Sequence, residues 1–324
     1  GDTEQQMDIL RHFKQTQVFR LVAQDLNGVL ALESLSDHLS ALADLILGEI
    51  LRLAWQGLRT RHRETPGFAI IGYGKLGGKE LGYASDLDII YLYADEAQEA
   101  PEIYARLGQR INTWLTSFTS AGTLYDTDLR LRPNGASGLL VSSVEAFEEY
   151  QKTQAWVWEH QALTRARYCA GDTQVGASFE RIRCAVLQQP RDPEVLKAEV
   201  IEMRRKMLDS HPNPSSLFDL KHDRGGIIDV EFVVQYLILA HAAAHPELTR
   251  NSGNLALLKT AAQAGLIPEE LAEKCRNAYR TFRKLQHQLR LLGSAYARVE
   301  AESVESHAAV VRQLWETVLS VSAL

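Results

Sequence analysis

Apolar residues recur at steps of three and four early in the chain, with Leu39, Leu42, Leu45, Ile46, Ile50 and Leu53 forming one run. That period marks an amphipathic helix, and Ser36-Asp37 just upstream read as its N-cap. Pro66-Gly67 breaks the pattern. The next hundred residues change character. Phe68 to Ile71 is a short apolar run that predicts a strand, and it leads into the glycines 72, 74, 77, 78 and 82. Leu87 to Tyr93, rich in Ile, Leu and Tyr, predicts a second strand. A helix is expected from Pro101 to about Ser120. A third strand is expected over Thr123 to Leu131, turned by Pro133-Asn134-Gly135. Leu139 to Val141 predicts one more strand before a helix from about Val144.

From there to the end the pattern is helical. Ile227, Val230, Val234, Leu237 and His241 step by three and four, as do Leu271, Cys275, Ala278, Phe282, Leu285 and Leu289. Prolines and glycines separate these segments, and there is no internal repeat or low-complexity stretch. The expectation is an α+β chain, mostly α overall, with a small α/β module over residues 66–170. An N-terminal helical segment, 1–65, precedes it and a C-terminal helical bundle, 171–324, follows.

Composition narrows the function classes. The 324 residues are 45% hydrophobic, enough for two or three packed units. A net charge of −6 gives no broad basic face for nucleic acid. Cys169, Cys184 and Cys275 are odd in number and lack CxxC spacing, so they read as reduced thiols of a cytoplasmic protein. No run of about 18 apolar residues exists to span a membrane; the best stretch, Phe232 to Ala244, is short and carries Gln235, Tyr236 and His241. The chain opens on Gly1 without a charged-then-apolar leader, so we expect a piece of a longer protein with Gly1 a cloning remnant.

The chemistry concentrates at Asp86-Leu87-Asp88. Strand side chains alternate, so both carboxylates project from one face while Leu87 packs on the other. Two carboxylates about 4 Å apart repel by roughly 4 kcal/mol at an effective dielectric near 20. A fold tolerates that when a proton is shared or a cation lies between them. Asp128 supplies a third acid, on a segment where alternation would align Asp126, Asp128, Arg130 and Arg132. Three acids on adjacent strands would hold Mg²⁺ on a nucleoside triphosphate, whose phosphate oxygens complete the shell. Paired metals would stabilise the attacking and leaving oxygens at phosphorus, with Arg130 and Arg132 neutralising phosphate charge. A polar strand face with cross-strand ion pairs is the alternative.

Gly72, Gly74 and Gly77 also satisfy GxGxxG after a strand, the dinucleotide-binding fingerprint. A parallel crossover needs a dozen or more residues, yet Gly77 and Asp86 leave room for only a few, interrupted by Gly82. What remains is a glycine turn whose N–H groups can approach phosphates, with Gly74 and Lys75 beside them. Other residues read less sharply. Asp229 and Glu231 lie near a helix N-terminus, where acids are stabilised, or serve a site or interface. Arg165 and Arg167 read as two apart on a helix, hence diverging. Trp156 and Trp158 read as core. The ten histidines show no zinc spacing.

The stretch from Gly72 to Asp88 resembles the active-site signature of the glutamine synthetase adenylyltransferase family, within the DNA polymerase β-like nucleotidyltransferase superfamily. Asp128 to Gly135 resembles the family's second signature, Trp158-Glu159-His160 with Arg165-Ala166-Arg167 a third, and Gly225 to Phe232 a fourth. Arg11-His12-Phe13-Lys14 and Ser36 to Leu39 extend the resemblance over nearly the whole chain. It implies a mixed-sheet, polymerase β-like module with a short helix after the glycine turn. Asp86 and Asp88 would bind both metals, Asp128 would be the third acid, and Gly74 and Lys75 would lie near the triphosphate.

The function so implied is transfer of AMP from ATP to a tyrosine hydroxyl of glutamine synthetase, controlling nitrogen assimilation, with Mg²⁺ or Mn²⁺ as cofactor. Partners would be glutamine synthetase and, through a longer chain, a PII nitrogen-signalling protein, with no nucleic acid and no membrane. Family members carry two similar halves with opposing activities. Gly82-Tyr83, Asp229 before Val230-Glu231-Phe232, and the leading Arg11 segment resemble the adenylylating, C-terminal half. The alternatives are the adenylyl-removing half, a nucleotidyltransferase with another acceptor, and a catalytically silent docking module.

Overall fold

The computed structural model describes residues 3–250 and 253–320; Gly1, read above as a cloning remnant, lies outside them. In chain order the elements are α1 (Thr3–Leu26), α2 (Leu32–Gln56), β1 (Phe68–Gly72), α3 (Gly74–Gly77), β2 (Leu87–Tyr93) and α4 (Ala100–Thr116). There follow β3 (Thr127–Asp128), β4 (Val141–Ser143), α5 (Val144–Thr153), α6 (Val157–Leu163), β5 (Arg167–Gly171) and α7 (Thr173–Leu187). The rest is α8 (Pro193–Ser210), β6 (Phe218–Asp219), α9 (Ile227–His241), α10 (Asn254–Gln263), α11 (Glu269–Leu291), β7 (Arg298–Val299) and α12 (Ala301–Leu319). The class is α+β and mostly helical, with a small mixed sheet. No described helix is long and apolar enough to cross a membrane.

Two compact units divide the chain. One takes the residues up to Ala155 together with Arg165–Val186, and the other takes Trp156–Thr164 and the residues from Leu187 on. In the first unit the sheet runs β3-β2-β1-β5, with β4 also paired to β2. β1 pairs antiparallel with β2 and with β5, whereas β3 and β4 run parallel to β2. Antiparallel β1 and β2 rule out a dinucleotide-binding crossover, which joins parallel strands. Phe68 to Gly72 are buried throughout, as a central strand covered on both faces must be. The core gathers Leu39, Ile46 and Ile50 of α2 with Ile70, Ile89, Leu107 and Trp114.

Several expectations are corrected here. The helix α2 starts at Leu32, so Ser36 and Asp37 lie inside it; Ser36 is 1% exposed and Leu32 and Leu35 extend the apolar stripe upstream. The helix α4 stops at Thr116 instead of Ser120, because Thr119 and Gly122 pair across a tight turn. The strand expected over Thr123 to Leu131 is only Thr127–Asp128; the chain turns at Arg130. The pattern beyond Val144 is not all helical, since Arg167–Gly171 is a strand against β1. Asp172 closes it and caps the next helix by accepting from the N–H groups of Gln174 and Val175.

The second unit is a helical bundle around α9, twelve of whose residues are buried. Such an all-round apolar helix belongs at the centre, with α8, α10, α11 and α12 packed about it. A two-stranded ribbon pairs Phe218 with Val299 and Asp219 with Arg298. Trp156 and Trp158, read above as core, are 69% and 40% exposed within this unit.

Candidate active site

The parallel register of β2 and β3 sets Leu87 opposite Thr127 and Asp88 opposite Asp128. Register partners in a parallel pair lie about 4.8 Å apart and share a face. Asp86 stands one residue before β2, exposed, while Leu87 is fully buried on the other face. Burial pushes the Asp88 carboxyl up to about 7, with the charges of Asp86 and Asp128 adding to it and those of Arg165 and Lys75 opposing. The three acids therefore act on one another. Among the described residues no three His, Cys, Asp or Glu side chains are gathered closely enough to hold a metal by themselves.

Asp128 is turned toward its own loop. Arg130 donates to it from the backbone at 2.9 Å and from Nε at 3.0 Å, and these bonds hold the carboxyl below the usual carboxylate range. Arg130 itself is exposed. Arg132 does not share that face, which corrects the alternation expected above. Its guanidinium donates to the carbonyls of Leu129 (2.8 Å), Ala136 (3.1 Å) and Gly138 (3.3 Å), pinning the loop after β3. The cause is the early turn: two residues of strand cannot carry an alternation to position 132.

The glycine turn wraps Asp88. Tyr73 N–H donates to the Asp88 carbonyl at 2.8 Å, continuing the β1–β2 ladder. Gly74 has φ +54°, and a Cβ there would lie 2.4 Å from Asp88 Oδ2. Backbone shape and close approach both demand glycine at this position. A Cβ at Gly77 would lie 1.7 Å from the Arg165 carbonyl oxygen. Lys75 follows Gly74 in the four-residue helix α3, close enough for its charge to act on Asp88.

Arg165 and Arg167 differ from the expected helical pair. Arg165 lies in a turn and is 8% exposed, with Nη2 3.6 Å from Glu80. Arg167, on β5, forks onto Asp44 at 2.7 and 3.0 Å and reaches the Leu76 carbonyl at 3.1 Å. Both guanidiniums therefore underpin the glycine turn, and Glu80 and Asp44 are site-supporting acids the sequence reading missed. Asp44 lies in an ordinary amphipathic helix and carries no local signal.

In the second unit the signature around Gly225-Gly226 has a structural account. Asp229, 1% exposed, pairs with fully buried Arg204 at 2.6 Å and accepts from the Gly225 N–H at 2.7 Å. Gly225 has φ +89°, and a Cβ there would meet the Ala308 carbonyl oxygen at 2.6 Å. Asp229 is thus the buried partner of Arg204.

Comparison with known proteins follows the same division. A profile of the family described as glutamate-ammonia ligase adenylyltransferase matches residues 1–182, and one described as GlnD PII-uridylyltransferase matches residues 195–298. The chain is similar to proteins named bifunctional glutamine synthetase adenylyltransferase/adenylyl-removing enzyme. One, from Nitrosomonas eutropha, is 60% identical over 97% of this chain and 35% of its own length. Another, from Aromatoleum aromaticum, is 59% identical over 98% of the chain and 34% of its own. A third, from Chromobacterium violaceum, is 60% identical over 98% and 35%. The chain spans about a third of the length of the curated relatives it matches.

Proposed function

The chain belongs to the glutamate-ammonia ligase adenylyltransferase family, and from that premise we propose that it transfers AMP from ATP to a tyrosine hydroxyl of glutamine synthetase. The observation that carries this reading is the register setting Asp88 opposite Asp128, with the charge of Asp86, just before the strand, also acting on Asp88. Asp86, Asp88 and Asp128 are the residues that would hold Mg²⁺ or Mn²⁺. The raised Asp88 carboxyl supports this: burial raises it first and the charges of Asp86 and Asp128 add to that, and a bound cation would offset both. Bound divalent metal would supply charge neutralisation at the triphosphate and lower the pKa of the incoming hydroxyl.

The chain's own residues do the positioning. The turn at Gly74 lets the backbone approach phosphates, and Lys75 and exposed Arg130 are the cations we assign to them. Arg132 is assigned to holding the loop that presents Arg130. The tyrosine oxygen attacks the α-phosphorus as the bond to the β-phosphate oxygen breaks, and pyrophosphate leaves. Asp128, released from Arg130, accepts the tyrosine proton. Positioning and charge stabilisation provide most of the acceleration.

The direction rests on the local resemblance around Gly82-Tyr83, Asp229 and Arg11, and the relatives' name covers both activities. The second reading is therefore phosphorolytic removal of AMP. The match of residues 195–298 to a PII-uridylyltransferase supports a PII protein as a partner through a longer chain. The deciding experiment offers the protein unmodified glutamine synthetase with labelled ATP and, separately, adenylylated enzyme with phosphate. Label incorporation in the first is expected; ADP release in the second, with no labelling in the first, would assign the removing activity instead.

A further inference from the structure

One helix reaches both segments that deliver the acids. Near the start of α1, Asp8 accepts from the hydroxyls of Thr119 and Ser120. One turn on, Arg11 is 1% exposed and donates to the carbonyls of Trp114 (3.3 Å), Ser117 (2.5 Å) and Gly122 (2.7 Å). Lys14 and Gln15 then donate to Leu124 and Ala121. Residues 8, 11, 14 and 15 share one helical face by their spacing. At the far end of α1, Asp25 accepts from the Tyr83 hydroxyl at 2.6 Å. The segments so held lead into the acid strands. Residues 114–125 run into Asp126, whose carbonyl accepts the Leu87 N–H at 2.9 Å, and then into Asp128. Tyr83 lies shortly before Asp86.

Arg11 has a sufficient structural explanation, since a cation satisfies free carbonyls at the end of α4. Lys14 has less of one. Its ammonium is largely buried 3.6 Å from the Tyr125 ring centroid, and burial holds its pKa down to about 8, with Asp126 opposing. A methionine would cover Tyr125 without that desolvation cost. What lysine adds is a directional bond to the Leu124 carbonyl, a short step before Asp128.

We propose that Lys14 is a positioning residue for the third acid: its bond to Leu124 fixes the course of residues 124–128 and hence the placement of Asp128 beside Asp88. The kinetic half of this inference rests on the AMP-transfer reading above; the structural half does not. The test compares Lys14→Met, which keeps the stem over Tyr125 and removes the donor, with Lys14→Arg, which restores one. Lys14→Met is expected to unfold as cooperatively as the parent. Its KM for ATP stays within about twofold while kcat falls by about 10- to 100-fold, and Lys14→Arg regains most of the loss. Amide exchange is read in parallel. The N–H groups of Leu87 and Arg130, bonded to Asp126 and Asp128, should exchange faster in Lys14→Met. Those of Ile89 to Tyr91 should not change. Unaltered exchange at Leu87 and Arg130 overturns the proposal whatever the assay gives. So does a parental kcat, or exchange that quickens uniformly through β2. An inactive parent protein overturns the AMP-transfer reading alone, and exchange then decides the role of Lys14. Should Lys14→Met fail to fold, Lys14→Leu, which likewise carries no donor, takes its place with the same expected outcomes.

Discussion

Asp86 and Asp88 are two residues apart and differ in surroundings: the first is exposed, and the second is partly buried with Gly74 packed close against its carboxylate. On the two-metal proposal, replacing either by Asn removes a metal ligand but also removes like-charge repulsion. We expect AMP incorporation to fall by about 10³-fold in Asp86→Asn and Asp88→Asn, the equivalent of roughly 4 kcal/mol. The melting temperature should hold or rise, most in Asp88→Asn. Normal turnover by either variant, measured with labelled ATP, would remove the two-metal assignment. On the next strand the comparison is internal. Asp128→Asn should cost far more activity than Asp126→Asn, because only Asp128 lies opposite Asp88. Equal losses would show that the wrong acid was chosen. At this scale the sequence singled out the acids by their spacing, and the structure has the charges of Asp86 and Asp128 acting on Asp88. The sequence was silent about Asp44 and Glu80, since an acid that supports a site through an arginine has no spacing of its own.

Two elements depend on buried carboxylates in ways a period cannot reveal. The N-terminus of α9 is tied to α8 by Asp229 and Arg204, both essentially unexposed. Breaking such a pair from one side strands a charge and costs about 3–5 kcal/mol, whereas replacing both partners by apolar residues is close to neutral. Asp229→Leu should therefore unfold the helical unit at much lower denaturant, and adding Arg204→Met should recover most of the loss. If the double variant is no better than the single, the pair is not the reason for Asp229. Two residues beyond β2, Asp95 gathers His62 (2.8 Å), Arg63 (3.0 Å), Tyr104 (2.8 Å) and the Ala97 N–H (3.1 Å). Burial raises its pKa, but these donors outweigh burial and hold it well below the ordinary value of 3.8. Its folded pKa is depressed, so its contribution to stability is complete above about pH 4 and is lost as pH falls toward the folded value. Asp95→Asn should cost about 2 kcal/mol at neutral pH. Urea titrations should show that difference shrinking below about pH 4. A gap that does not change with pH would mean the carboxylate's charge is not what the cluster uses.

At the scale of the molecule, the reading of the glycine turn as a triphosphate site rather than a dinucleotide site can be tested by ligand-induced stability. ATP with Mg²⁺ should raise the melting transition of the unit that carries the acids, by about 2.7 kcal/mol of stability at a hundredfold excess over Kd. NAD should leave it unmoved, and stabilisation by NAD would reopen the nucleotide reading despite the antiparallel β1 and β2. Much of this architecture was legible along the chain. Steps of three and four marked α2, α9 and α11, and short apolar runs marked β1 and β2, because burial leaves its record along the chain. Spacing placed Asp86 and Asp88 together, and the resemblance marked Asp128. The tertiary structure decided the rest: that β3 is two residues long, that Arg132 turns into its own loop, and that Arg167 stands on a strand. It also placed Trp156 and Trp158 at the surface of their own unit. These outcomes depend on long-range partners. A five-residue strand exists because β1 offers an open edge, and a side chain's direction beyond a short strand is set by whichever carbonyls lie within reach. A local pattern records the period of burial, and only the fold supplies the partner.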